Sequence, residues 1–117
     1  MVSSFSVWVV PHNYPQVMRS MGMKHIPHIT IKCDMTYPCT RPDIGKEYSF
    51  NIMGNIQQYD NIAYVNCDVD ELGIKQMIIS FDSISHDCKL KIPDISRGIL
   101  CNANTSSRNP SKWVVIE

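Results

Sequence analysis

The sequence lacks an excess of charge of either sign, since its 11 Lys and Arg residues balance its 11 Asp and Glu residues. Without net positive charge, the chain has no broad basic field to hold long nucleic acid regardless of base sequence. It also lacks the glycine-rich loops with which P-loop and dinucleotide-binding proteins hold phosphate groups. These absences leave a small nucleotide or an RNA end as the nucleic-acid partner, because such a ligand needs only a few well-placed donors.

A long hydrophobic run is also missing, so we expect no membrane partner. The first residues, MVSSFSVWVVP, are apolar but show no basic leader and no small-residue cleavage site, and they predict a strand rather than a signal peptide. The 5 cysteines are odd in number and irregularly spaced, which predicts reduced thiols in the cytoplasm. The abundance of Ile and Asn is typical of an AT-rich genome, and for a viral source the expected compartment is the host cytoplasm.

What the sequence does have is a high content of strand-forming residues. Its length predicts a single domain over residues 1–117, and its 44% hydrophobic content is enough for a packed core. Alternating and β-branched segments predict strands at 5–10, 28–35, 47–59, 61–69, 75–84 and 112–117. Capping and turn residues predict a short helix at 13–22 and a second one beginning within 93–100. The predicted fold class is therefore α+β, with a mainly antiparallel sheet and one or two short helices.

The segment HITIKCDM, residues 28–35, carries the strongest functional pattern. Its polar residues His28, Thr30 and Lys32 alternate with apolar ones, as in a half-buried strand. Because residues i and i+2 of a strand share a face, we expect His28 and Thr30 to point into the same cleft. Lys32 shares that face and would add positive potential at its edge. We expect the other histidines near this segment, His12 and His25, at the surface.

The stretch PHITI, after a first strand and a short connecting helix, resembles the two-histidine (2H) phosphoesterases. This family includes RNA 2′,3′-cyclic phosphodiesterases and 2′-5′ RNA ligase-like proteins, and its signature is His-x-Thr/Ser, present twice on two pseudo-symmetric lobes. The resemblance implies compact 2H lobes and hydrolysis of a small phosphodiester: a 2′,3′-cyclic phosphate RNA end, a cyclic nucleotide or a 2′-5′ oligoadenylate. It further implies acid/base catalysis by His28, phosphate binding by Thr30, and no metal or cofactor.

A second His-x-Thr/Ser is absent from this sequence, and two segments are candidates for its remnant. The order of predicted strands favours Gln76-Met77-Ile78, where Gln76 could bind a phosphate but could not transfer a proton. The chemistry favours His86-Asp87-Cys88, which retains a histidine as a second catalytic residue. Both remain open at this point.

Three hypotheses follow from the incomplete motif. A catalytic 2H domain predicts that His86 approaches His28. A noncatalytic module that binds a nucleotide, an RNA end or a protein predicts a cleft holding His28 and Thr30 with Gln76 opposite. Coincidence predicts that His28 faces solvent with no concavity. A zinc site from His25, His28, Cys33 and Cys39 is a weaker alternative, because its cysteines lack the close spacing of structural zinc sites.

Overall fold

The computed structural model describes residues 5–35, 42–81 and 95–116. These residues form seven strands, one α-helix and one short 3-10 helix, Pro110–Lys112. In chain order the regular elements are β1 Phe5–Pro11, α1 Tyr14–Met21, β2 His28–Met35, β3 Glu47–Tyr59, β4 Ile62–Val69, β5 Gly73–Ser80, β6 Ile95–Asn104 and β7 Val114–Ile116.

The strands join into one closed barrel. Their order is β1-β2-β5-β4-β3-β6, and pairing of β6 with β1 closes the ring, while β7 adds to the end of β6. Every pairing is antiparallel. The predicted antiparallel sheet with short helices is therefore confirmed, in the more specific form of a six-stranded barrel. All seven described strands belong to one continuous sheet, whereas the resemblance implies two lobes.

The barrel interior is a packed hydrophobic core. Strand alternation sends every second side chain inward, and most of the inward side chains are aliphatic. The buried members of this core are Val7, Val9, Val17, Ile29, Tyr48, Phe50, Ala63, Val65, Cys67, Val69, Met77, Ile79 and Leu100. Because side chains fill the interior, we expect a functional site on the outer face of the barrel.

The helix α1 forms where the sequence predicts it. Asn13 is its N-cap residue, a proline occupies its first turn, and Gly22 ends it in the left-handed conformation at φ 63°. Val17 packs into the barrel core, whereas Tyr14 and Met18 pack against a second hydrophobic cluster on the outer face. The helix therefore connects the two clusters. No helix in the described ranges is long and apolar enough to cross a membrane.

The hairpin between β3 and β4 also follows from the sequence. Tyr59 pairs with Ile62, and Asp60 and Asn61 between them both have positive φ, at 49° and 64°. This is the geometry of a two-residue turn that matches strand twist. The predicted bend at Gly54 is confirmed, since its φ is 77° and the β3–β4 register shifts beside it.

The helix predicted to begin within 93–100 is wrong over the described residues 95–100, because these belong to β6. The strand pairs with β1 over residues 98–104 and with β3 over residues 95–99, and these tertiary hydrogen bonds override a weak local helix signal. Gly98 allows the close approach, because a Cβ there would lie 2.7 Å from Cγ1 of Val9. The predicted strand at 75–84 is observed from Gly73 to Ser80, and residues 82–84 lie outside the described ranges.

Candidate functional site

His28 begins β2 and is almost completely buried, with 2% of its surface exposed. Its ring stacks on the indole of Trp8 at a centroid distance of 3.9 Å and an interplanar angle of 15°. Phe81 and Trp113 lie further out, with centroids 6.3 and 6.1 Å from the His28 ring. We call Trp8, His25, His28, Phe81 and Trp113 the aromatic cluster. The other four side chains of this cluster cover His28 on the outer face of the barrel and shield it from solvent.

The protonation state of His28 follows from this environment. Its Nδ1 lies 2.8 Å from the carbonyl oxygen of Ile26, and since a carbonyl only accepts, Nδ1 carries the proton and donates. Burial lowers the pKa of His28 to about 4, despite the hydrogen bond to Ile26, which raises it, and nearby His25 lowers it further. His28 is therefore neutral at pH 7.

His25, expected at the surface, is buried, so that prediction is wrong. Only 7% of its surface is exposed, and its ring packs against Phe81 at a centroid distance of 5.1 Å. The short connection between α1 and β2 packs against the outer face of the barrel. There Ile26 belongs to the second hydrophobic cluster, and the adjacent His25 is buried beside it. His12 does lie at the surface, where its Nε2 is 3.2 Å from a carboxylate oxygen of Glu47.

Thr30 shares the outer face with His28 but occupies a different environment. It is exposed, and it lines an open depression of about 420 Å³ on the outside of the barrel. The depression is lined by Thr30 from β2, Asn66 from β4, and Ile74, Lys75, Gln76 and Ile78 from β5. Two predicted site residues, Thr30 and Gln76, are therefore brought together.

The depression lies where the barrel wall opens. Only two residue pairs join β2 to β5, His28 with Ile78 and Ile29 with Met77. Beyond them, no described strand pairs with β2 on this side, although β2 runs to Met35 and β5 reaches back to Gly73. By contrast, β5 pairs on its other side with β4 from Ala63 to Val69. Two strand edges therefore border the depression.

The remaining predicted site residues lie apart from the depression or outside the described ranges. Lys32 is exposed but does not line the depression, and a register shift pairs it with Val7 instead of continuing the predicted alternation beyond Thr30. His86, the alternative second histidine, lies outside the described residues, as does the zinc candidate Cys39. Among the described residues, no group of three or more His, Cys, Asp or Glu side chains is arranged to hold a metal ion.

The two cysteines with described side chains are poor nucleophiles. Burial raises the pKa of Cys67, inside the barrel, to about 12, although a backbone hydrogen bond from Met77 opposes the shift. Burial also raises the pKa of Cys101, in the outer cluster, to about 11. Since the thiolate is the reactive form, neither residue is suited to covalent catalysis at neutral pH.

Neither the aromatic cluster nor the position of Asn66 in the lining of the depression was predicted from the sequence. Trp8 and Trp113 lie more than one hundred residues apart in the chain, and only the closure of the barrel brings them together. The one available signal was the alternation of β1, which places Trp8 on the face opposite Val7 and Val9.

Comparison with known proteins gives no further guide. No family model, no curated protein and no solved structure matches this chain.

Proposed function

We propose that this protein is a noncatalytic binding module whose ligand site is the depression on the outer face of β2, β4 and β5. The observation that carries the proposal is the separation of His28 from Thr30. Thr30 and Gln76 line an accessible concavity, whereas the histidine of the same motif is buried against Trp8. The residues suited to hydrogen bonding are thus available to a ligand, and the residue suited to proton transfer is not.

The chemistry of the depression fits binding. Thr30, Asn66 and Gln76 provide hydroxyl and amide groups that both donate and accept hydrogen bonds. Ile74 and Ile78 provide apolar surface, and Ile74 is 63% exposed. A few polar groups around apolar surface are typical of ligand sites. The proposal does not require the 2H resemblance, which stays a prediction based on the residues PHITI.

The catalytic alternative, hydrolysis of a small phosphodiester by His28 and His86, also stays a prediction. It requires His28 to exchange a proton with substrate or water, and a general acid or base must come within hydrogen-bond reach of the group it serves. With Nδ1 bonded to Ile26 and the ring under the aromatic cluster, His28 fits a structural role better. The cytoplasmic compartment expected from the cysteines is likewise a proposal.

Turnover assays distinguish the two functions. Wild type, His28→Ala and His86→Ala would be incubated with 2′,3′-cyclic AMP and a 2′-5′ oligoadenylate in the presence of EDTA. We expect no turnover above the buffer rate in any of them. Turnover by wild type that falls by about a hundredfold or more in either variant, with its circular dichroism spectrum unchanged, would favour the enzyme and contradict the proposal.

A binding assay tests the site itself. In amide chemical-shift titrations with 5′-AMP, 2′,3′-cyclic AMP and peptides, we expect saturable shifts confined to the region of Thr30, Asn66 and Gln76. Thr30→Arg should abolish them by filling the depression. Ser20→Arg, at an exposed site on α1, is the matched control and should leave them unchanged. Shifts that centre elsewhere, or that persist in Thr30→Arg, would contradict this site.

A further inference from the structure

The open edge of β5 indicates how a ligand could be held. Every non-proline residue of a strand has an N–H and a C=O group that require partners, and alternate residues direct them to alternate sides. On one side β5 pairs with β4 from Gly73 to Ser80, and on the other it meets β2 only at Met77 and Ile78. Among the described strands, the edge at residues 73–76 faces no partner.

From this edge, and on the basis of the proposed binding function, we infer that the ligand is an extended peptide segment that adds to β5 as a strand. It would occupy the position beside residues 73–76 that β2 leaves open, and it would contact Thr30 across the opening. Addition of a strand to an exposed edge is a known mode of peptide recognition, in which main-chain hydrogen bonds supply affinity and side-chain contacts supply specificity.

The side chains around the edge define the chemistry of the peptide. Ile74 lies on the outer face beside the open edge and offers apolar contact to one residue of an added strand, whereas Ile78 is already paired with β2. Lys75 borders the depression, but its cross-strand partner is Cys67 inside the barrel, so its side chain belongs to the inner face. On the outer face, Ile74 pairs with the exposed Asp68. The expected ligand is therefore an extended peptide that places an apolar side chain against Ile74.

A nucleotide fits the observations less well. It would use the hydroxyl and amide side chains, but it would leave the backbone edge of β5 without partners. An exposed strand edge is also a liability, because it can pair with another copy of the protein. A peptide satisfies this edge and the side chains at once.

Selection from a phage-displayed library of random octapeptides tests the inference. We expect enrichment of peptides with an apolar residue at one fixed position, with binding abolished in Thr30→Arg and unchanged in Ser20→Arg. The best peptide would then be synthesised with one backbone N-methyl group at each position in turn. Pairing with one strand edge predicts losses of about tenfold or more at every second residue and smaller losses between them.

Three other outcomes would overturn the inference, and they differ in what they mean for the binding function. Peptides that bind the depression but show no alternation on N-methylation would contradict strand addition and leave the binding function intact. The same holds if no peptide is enriched while 5′-AMP or 2′,3′-cyclic AMP shifts the amides of Thr30, Asn66 and Gln76. If neither peptides nor these nucleotides bind there, both the inference and the binding function fail.

Discussion

The aromatic cluster and the depression occupy neighbouring parts of one outer face, and they differ in almost every respect. His28 and Thr30 are two residues apart on β2 and point the same way, yet one is buried and the other is exposed. The cluster lies at the end of β2 that pairs with β5, and the depression lies where that pairing stops. A shared strand face therefore does not imply a shared environment, because what covers the face comes from distant parts of the chain.

The largest expected difference between the two regions is in stability. Trp8→Ala would leave a cavity beside His28 and should lower the free energy of unfolding by about 3–5 kcal/mol. Gln76→Ala, at an exposed position in the depression, should change it by less than about 0.5 kcal/mol. Urea denaturation of both variants measures this. Comparable losses in the two would show that the depression is a structural element rather than a free surface.

The next effect concerns pH. Because the pKa of His28 is about 4 in the folded protein and 6.5 in the unfolded chain, the unfolded state binds more protons between these values. Stability should therefore fall as the pH drops from 6.5 to 4, and the His28 share of the loss is roughly 3 kcal/mol.

The variant His28→Phe keeps an aromatic ring on Trp8 but has no group to titrate, so it isolates the His28 contribution. Urea denaturation at pH 7, 6, 5 and 4 should give a shallower loss for His28→Phe than for wild type. Parallel curves for the two proteins would contradict the buried, neutral state of His28.

Thiols in the two regions provide the last comparison. We expect a small effect on the free energy of unfolding but a large difference in thiol reactivity. Cys101 lies in the covered region, and its raised pKa reduces the thiolate fraction. A cysteine introduced by Gln76→Cys would lie in the exposed depression. Alkylation by iodoacetamide at pH 7.5, mapped by mass spectrometry, should be at least about a hundredfold slower at Cys101 than at the new cysteine. Similar rates would show that the two regions are equally accessible.

The parts of the fold that depend on local chemistry could be predicted from the sequence. The helix between Asn13 and Gly22, the turn at Asp60 and Asn61, and the bend at Gly54 each follow from the conformational preferences of one or two residues. The alternation of β2 likewise predicted that Thr30 shares a face with His28. These features require no knowledge of the rest of the chain. Lys32 departs from the predicted alternation, because a register shift with β1 beyond Thr30 puts it opposite the core residue Val7.

The parts that depend on distant contacts could not be predicted. The sequence of residues 95–104 does not by itself favour a strand over a helix. The segment forms a strand because it pairs with β1 on one side and with β3 on the other. The burial of His28 depends on Trp8 and Trp113, which come from opposite ends of the chain. Gln76, the candidate that the order of predicted strands favoured, lines the same depression as Thr30, although β5 does not follow β2 directly in the chain.

The most direct test of a structural rather than catalytic His28 is its own titration. The protein would be labelled with ¹⁵N and ¹³C in histidine, and the Cε1–H and Nε2 signals of His28, assigned by comparison with His28→Phe, would be followed from pH 8 to the lowest pH at which it stays folded. The account predicts a pKa near 4, with no change when 2′,3′-cyclic AMP is added. A pKa near 6.5 that shifts in the presence of the nucleotide would place His28 in contact with solvent and ligand, and would contradict the account.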